Sequence, residues 1–90
     1  MFLNLNKDIG VEKIEEGIII IVFKTKEAFF LETEIYDLLL PLQSNHLRID
    51  QYYESYFKKD YEYNEFTEFI QNLINSEILV EGGDFNEKGS

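Results

Sequence analysis

His46 is the single histidine of the 90-residue chain, and the chain has no cysteine. One imidazole without thiolate companions cannot build a multidentate zinc site. It reads as a solvated residue of the polar loop Gln43–His46. Nucleophilic catalysis lacks a cysteine and any Ser–His partnership. Carboxylate pairs such as Glu15/Glu16 and Glu65/Glu68 follow from a composition with 18 acidic residues. None has the alternating-aspartate spacing of a calcium loop. There is no glycine-rich phosphate loop. Gly82-Gly83 is not terminal, and the order of elements runs against a ubiquitin-like fold. These residue types predict no catalytic residue, no metal and no cofactor. They leave recognition by backbone edges and apolar faces.

The elements that would carry such recognition are legible. Gly17-Ile-Ile-Ile-Ile-Val-Phe23, the turn Lys24–Glu27 and the run Ala28–Leu31 read as a β-hairpin. Val11–Glu15, bracketed by Gly10 and Gly17, reads as a strand before it. The unbroken β-branched run Ile18–Phe23 predicts a central strand buried on both faces. Thr33 is placed to cap a helix with Glu34 in its first turn. Ile35, Tyr36, Leu38, Leu39 and Leu42 give that helix an apolar face. Pro41, the only proline, lacks an N–H and marks a kink or an end.

A second helix is predicted over Ile49–Phe57. A third starts at Asn64 as N-cap and carries the stripe Phe66, Phe69, Ile70, Leu73, Ile74. Leu38, Ile70 and Leu73 are expected in the core. Ile78–Val80 reads as a short closing segment. The order is three strands of one antiparallel sheet, then three helices, an α+β layout. Residues 1–80 form the domain, and 81–90 read as a flexible acidic tail.

Hydrophobic residues make up 44% of the chain and aromatic residues 16%, enough for one core. The formal charge is −10, from 18 acidic against 8 basic residues. No basic footprint for phosphate contacts exists, which argues against nucleic acid. It fits a partner that is neutral or basic where it docks. No apolar run approaches the ~20 residues of a membrane span. Met1–Asn6 has neither the basic start nor the apolar centre of a signal peptide. A cytoplasmic location is expected, with no membrane partner.

Four stretches carry a resemblance to a known family. They are Gly17–Phe23, Phe29-Phe-Leu-Glu-Thr-Glu-Ile-Tyr-Asp-Leu-Leu39, Ile49-Asp-Gln-Tyr-Tyr53, and Phe66-x-x-Phe69-Ile70-x-x-Leu73-Ile74-x-x-x-Ile78-Leu79. Over roughly residues 3–80 the chain resembles the precursor-peptide recognition element, a domain similar to pyrroloquinoline quinone biosynthesis protein D. Leu31-Glu32-Thr33 departs from the small turn and asparagine of many members. Leu40-Pro41-Leu42 is similar to the recognition domains that accompany thiazole- and oxazole-forming cyclodehydratases.

The resemblance implies a winged helix-turn-helix-like fold with no chemistry of its own. It implies binding of the leader of a ribosomally made precursor peptide, added as a strand beside the third strand and walled by the third helix. The partners implied are that leader and a modifying enzyme of natural-product biosynthesis. The peptide-binding residues expected are Ala28, Phe29, Phe30 and Leu31 on the strand, with Phe66, Thr67, Ile70, Gln71 and Ile74 on the helix. Phe66, Ile70 and Ile74 are the helix residues expected to face the groove.

Strand side chains alternate, so one of the pairs Phe29/Leu31 and Ala28/Phe30 faces the core. For the helical stripe, packing competes with peptide contact at every position. Tyr52, Tyr53, Tyr56, Tyr61 and Tyr63 form a candidate docking face for the enzyme. An unpaired strand edge also invites a homodimer. The competing reading is a winged-helix nucleic-acid-binding or regulatory interaction domain, since fold alone does not give function.

Overall fold

The computed structural model describes residues 2–82. In chain order the elements are β1 Phe2–Leu5, β2 Ile9–Lys13, β3 Ile18–Val22, β4 Glu27–Leu31, α1 Thr33–Leu39, α2 Pro41–Ser44, β5 Leu47–Arg48, α3 Ile49–Tyr56, α4 Tyr63–Asn75 and β6 Leu79–Gly82. The class is α+β, with three helices and the one-turn α2. The strands form two antiparallel three-stranded sheets, in the orders β5-β1-β6 and β2-β3-β4, where a single sheet was expected.

The second sheet is the expected hairpin with its flanking strand. The β-branched residues of β3 favour extended backbone, and β3 is central. It pairs with β2 from Ile9↔Val22 to Lys13↔Ile18, and with β4 from Ile18↔Leu31 to Val22↔Glu27. The first strand of this sheet thus starts and ends earlier than Val11–Glu15. Backbone bonds between Ile14 and Gly17 close the turn over Glu15-Glu16.

Only one face of β3 is enclosed. Ile18, Ile20 and Val22 are buried, while Ile21 is exposed and Ile19 half-buried. The expectation of burial on both faces fails because the helices cover the sheet on one side.

The first sheet joins the chain's two ends. Phe2 lies opposite Gly82 and Leu5 opposite Leu79. Leu3 and Leu5 alternate inward and are buried. Glu81 and Gly82 are strand residues paired with Leu3 and Phe2, so the tail does not begin at 81. The rest of that expected tail, 83–90, lies outside the described residues.

Helix starts differ from the expected ones. Thr33 is the first residue of α1, and the N-cap is Glu32. Glu62, not Asn64, caps α4, and its backbone N–H donates to the Glu65 carboxylate at 3.0 Å. Such a reciprocal Glu-x-x-Glu pair relieves N–H groups that no helical carbonyl can reach. Pro41 opens α2, where its missing N–H costs nothing.

The core gathers Leu3, Ile18, Ile20, Leu39, Leu42, Tyr52, Phe57, Phe66, Ile70, Leu73 and Ile78 among others. Phe57 is the hub of an aromatic cluster, with ring centroids 5.0 Å from Tyr52, 4.8 Å from Phe66 and 5.6 Å from Tyr61. Leu38 is only half-buried, unlike the expected Ile70 and Leu73, because it lines a pocket rather than the closed core. Tyr52 is fully buried, so it leaves the expected docking face to its exposed neighbours Tyr56, Tyr61 and Tyr63.

Two asparagines tie β1 to the helical layer. The Asn4 side-chain amide donates to the carbonyls of Leu42 and Asn45, and that of Asn6 donates to Glu77 O at 2.7 Å. Beyond α4, the N–H of Ile78 reaches Leu73 O and that of Glu77 reaches Ile74 O, each at 3.0 Å. This is the Schellman closure, with buried Ile78 and Leu73 supplying its apolar contact.

Glu77 occupies the left-handed position of this closure at φ 63°. A side chain there costs about 1–2 kcal/mol. The Glu77 carboxylate approaches Lys24 at 3.7 Å, an exposed pair of small worth. Glu77→Gly is therefore expected to stabilise the domain by about 1 kcal/mol. Denaturant melts measure it.

The Tyr52 hydroxyl donates to the Leu38 carbonyl, which has no helical donor because α1 stops. Burial first, and Tyr56 second, push its ionisation above the ordinary value of 10.0. The folded state thus keeps the proton that the unfolded state releases. Stability from Tyr52 is fully present below about pH 10 and falls as pH rises beyond it. Tyr52→Phe is expected to lose about 1 kcal/mol at neutral pH and to show a flatter loss in alkali than the wild type. Thermal melts of both proteins across the alkaline range test this.

Candidate functional site: a free strand edge beside α4

β4 is an edge strand of its sheet, because β3 pairs only one of its sides. The other side presents backbone N–H and C=O groups that a further strand would satisfy. The register settles the faces left open by the sequence. Phe29 and Leu31 lie opposite the buried Ile20 and Ile18 and are half-buried against the core. Ala28 and Phe30 lie opposite Ile21 and Ile19 and point to the outer face, where Phe30 is 50% exposed.

The segments at the two ends of β4 each approach α4 or the closure beyond it. At one end, Lys24 in the β3–β4 turn meets Glu77 just beyond α4. At the other end, β4 runs into α1, and Ile35 and Leu38 of α1 share a pocket with Phe66 and Phe69 of α4.

The pocket has a volume of about 160 Å³ and is completed by Phe57, Tyr61 and Glu65. Its lining is apolar apart from Glu65, whose carboxylate already accepts the Glu62 N–H. One large apolar side chain would fill it.

The expected helix residues are distributed differently. Phe66 and Ile70 are 1% exposed and belong to the core, and Phe66 also lines the pocket. At ~100° per residue, Glu65, Phe69, Asn72 and Ser76 form the flank that continues from the pocket. Thr67, Gln71 and Ile74 lie roughly 140–160° around the helix from Phe69. Gln71 instead bonds Asn75, and the Thr67 hydroxyl bonds Asn64 O.

Phe29 and Leu31 pack against the core without lining the α1–α4 pocket, and Thr67, Gln71 and Ile74 lie on the far flank of α4. Ile35, Leu38, Phe69 and Asn72 are the residues that sequence reasoning did not assign. The stripe on α4 is too broad to reveal which flank meets α1, and the pocket the two helices share decides it.

Charge around the edge is one-sided. From Glu27 to Leu47 there is no lysine or arginine, but four acids: Glu27, Glu32, Glu34 and Asp37. From Asp60 to Gly82 there is again none, with Asp60, Glu62, Glu65, Glu68, Glu77 and Glu81. Lys24 and Lys26 stand only at the hairpin turn. Among the described residues no group of three metal-binding side chains occurs, and no helix is long and apolar enough to cross a membrane. His46 is exposed, with its ring edge-on to Phe2 at 6.3 Å.

No family model matches this chain, and neither a curated protein nor a solved structure matches it.

Proposed function

We propose that this chain is a peptide-capture domain. An extended peptide adds as a strand to the free edge of β4, and one of its apolar side chains enters the pocket between α1 and α4. The observations that carry the reading are the open edge of β4 and the apolar pocket that α4 shares with α1, the helix into which β4 runs. Main-chain bonds supply affinity in this mode, and the pocket supplies selectivity.

The acidic frame adds a second criterion. A peptide with lysine or arginine flanking its apolar anchor meets a favourable field on both sides of the groove, and added salt weakens it. The resemblance gives the biological form of this reading. The peptide is the leader of a ribosomally made precursor, held for a modifying enzyme in the cytoplasm, and α1, α3 and α4 with the β2–β4 sheet act as a winged helix-turn-helix used for peptide rather than nucleic acid.

The test is a titration with labelled peptides that carry an apolar anchor flanked by lysines. Phe69→Ala and Leu38→Asp, at half-buried positions of the pocket, are expected to weaken binding at least about tenfold, or 1.4 kcal/mol. Glu54→Gln on α3 and Gln71→Ala on the far flank of α4 are expected to leave it within about twofold. Phe66→Ala is unsuitable as a binding probe, because a cavity in the core costs about 3–5 kcal/mol of folding. Equal loss at Gln71 and Phe69 would contradict the groove assignment. Tight, steeply salt-dependent retention on DNA would contradict the function.

A further inference from the structure

The inner face of the β2-β3-β4 sheet is not covered as far as its β2 margin. Ile9 and Val11 lie opposite the buried Val22 and Ile20, so they point to the helix-covered side. Yet Ile9 is only half-buried and Val11 is 42% exposed. A cleft of about 240 Å³ opens there, bounded by the β1–β2 connection, Tyr36 of α1 and Gln43 of α2.

Tyr36 lines this cleft and is 7% exposed. The hydroxyls of Tyr52 and Tyr53 donate to backbone carbonyls, whereas that of Tyr36 has no partner among the described residues. Buried hydroxyls are normally hydrogen-bonded, so this one calls for a partner from within the cleft. Two further polar groups at the cleft are equally unused. Lys7 has no ion pair among the described residues, and the Gln43 side-chain amide has no hydrogen bond among them. Asn6 shapes the turn that carries Lys7. Its side-chain oxygen accepts the Asp8 N–H at 3.0 Å, and its amide donates to Glu77 O. Although the chain carries −10, no carboxylate among the described residues lines this cleft.

We propose that the cleft binds the carboxylate of a small aliphatic acid. Lys7 supplies the charge, the Tyr36 hydroxyl and the Gln43 amide donate hydrogen bonds, and Leu5, Ile9 and Val11 form the wall for the hydrocarbon. Charge-assisted bonds are roughly twice as strong as neutral ones, which favours an acid over its amide. The volume lies below the ~300–1,000 Å³ of drug-sized sites, so the occupant is small. The same chemistry stands at the C-terminus of a peptide that ends in an aliphatic residue. The cleft shares no lining residue with the pocket between α1 and α4, so its occupancy is independent of peptide capture.

An amide NMR titration of the full chain with isovalerate at neutral pH tests the proposal. The amides of Lys7, Ile9, Val11 and Gln43 are expected to shift and to saturate in the millimolar range, as suits a ligand of about seven non-hydrogen atoms. Isovaleramide, which keeps the shape without the charge, is expected to bind at least about tenfold more weakly. Lys7→Gln is expected to weaken isovalerate about tenfold, and Tyr36→Phe, which keeps the ring, about fivefold. Lys59→Gln, beyond α3, is expected to leave it within about twofold. Lys7 is exposed, so its variant decides the matter if Tyr36→Phe does not fold. Acetyl-leucine separates the two sources of the carboxylate. Binding as tight as isovalerate or tighter assigns the cleft to a peptide C-terminus, and weaker binding assigns it to a free acid.

Shifts that fail to saturate at tens of millimolar isovalerate overturn the proposal. Equal binding of isovaleramide overturns it, because no carboxylate is then recognised. Unchanged binding in folded Lys7→Gln or folded Tyr36→Phe overturns it too.

Discussion

The burial of one face of β3 is the contact on which the rest of this structure depends. Ile18, Ile20 and Val22 are at most 2% exposed, and each fully buried aliphatic side chain contributes roughly 1.5–3 kcal/mol. Because β3 is central, fixing its register fixes β2 and β4 as well. Because the helices cover only that one face, the same packing leaves two surfaces unused, the β4 edge and the outer face of the sheet.

Most of the hairpin and helices was legible in the sequence. The run Ile18–Phe23, the turn at Lys24–Glu27 and the apolar spacings of α3 and α4 are local signals, and each falls where the structure has the element. The first sheet was not legible, because its pairs join Phe2 to Gly82 and Leu3 to Glu81 across the whole chain, and nothing local to four residues announces such a partner. Asn64 is a stronger cap former in isolation than Glu62. The reciprocal bond with Glu65 overrides that preference.

Of the candidate site, the edge strand and α4 were legible as elements, but the flank of α4 that lines the pocket was not. Five apolar residues on α4 cover more of its circumference than one packing seam requires, so Phe66 and Ile70 could be read as groove residues as readily as core ones. Three-dimensional context separates them. The aromatic cluster around Phe57 draws Phe66 inward, and α1 turns Phe69 toward the pocket. The two lysine-free stretches, by contrast, are read directly from the sequence, and one of them contains β4 while the other contains α4.

Amide hydrogen exchange on residues 27–31, with and without a basic-flanked apolar peptide, tests strand addition most directly. In the free protein the outward amides of an edge strand exchange readily. The account predicts that amides of β4 gain protection when the peptide is added, together with the start of α1, while those of α3 change little. Protection confined to α3, with β4 unchanged at peptide saturation, would contradict it.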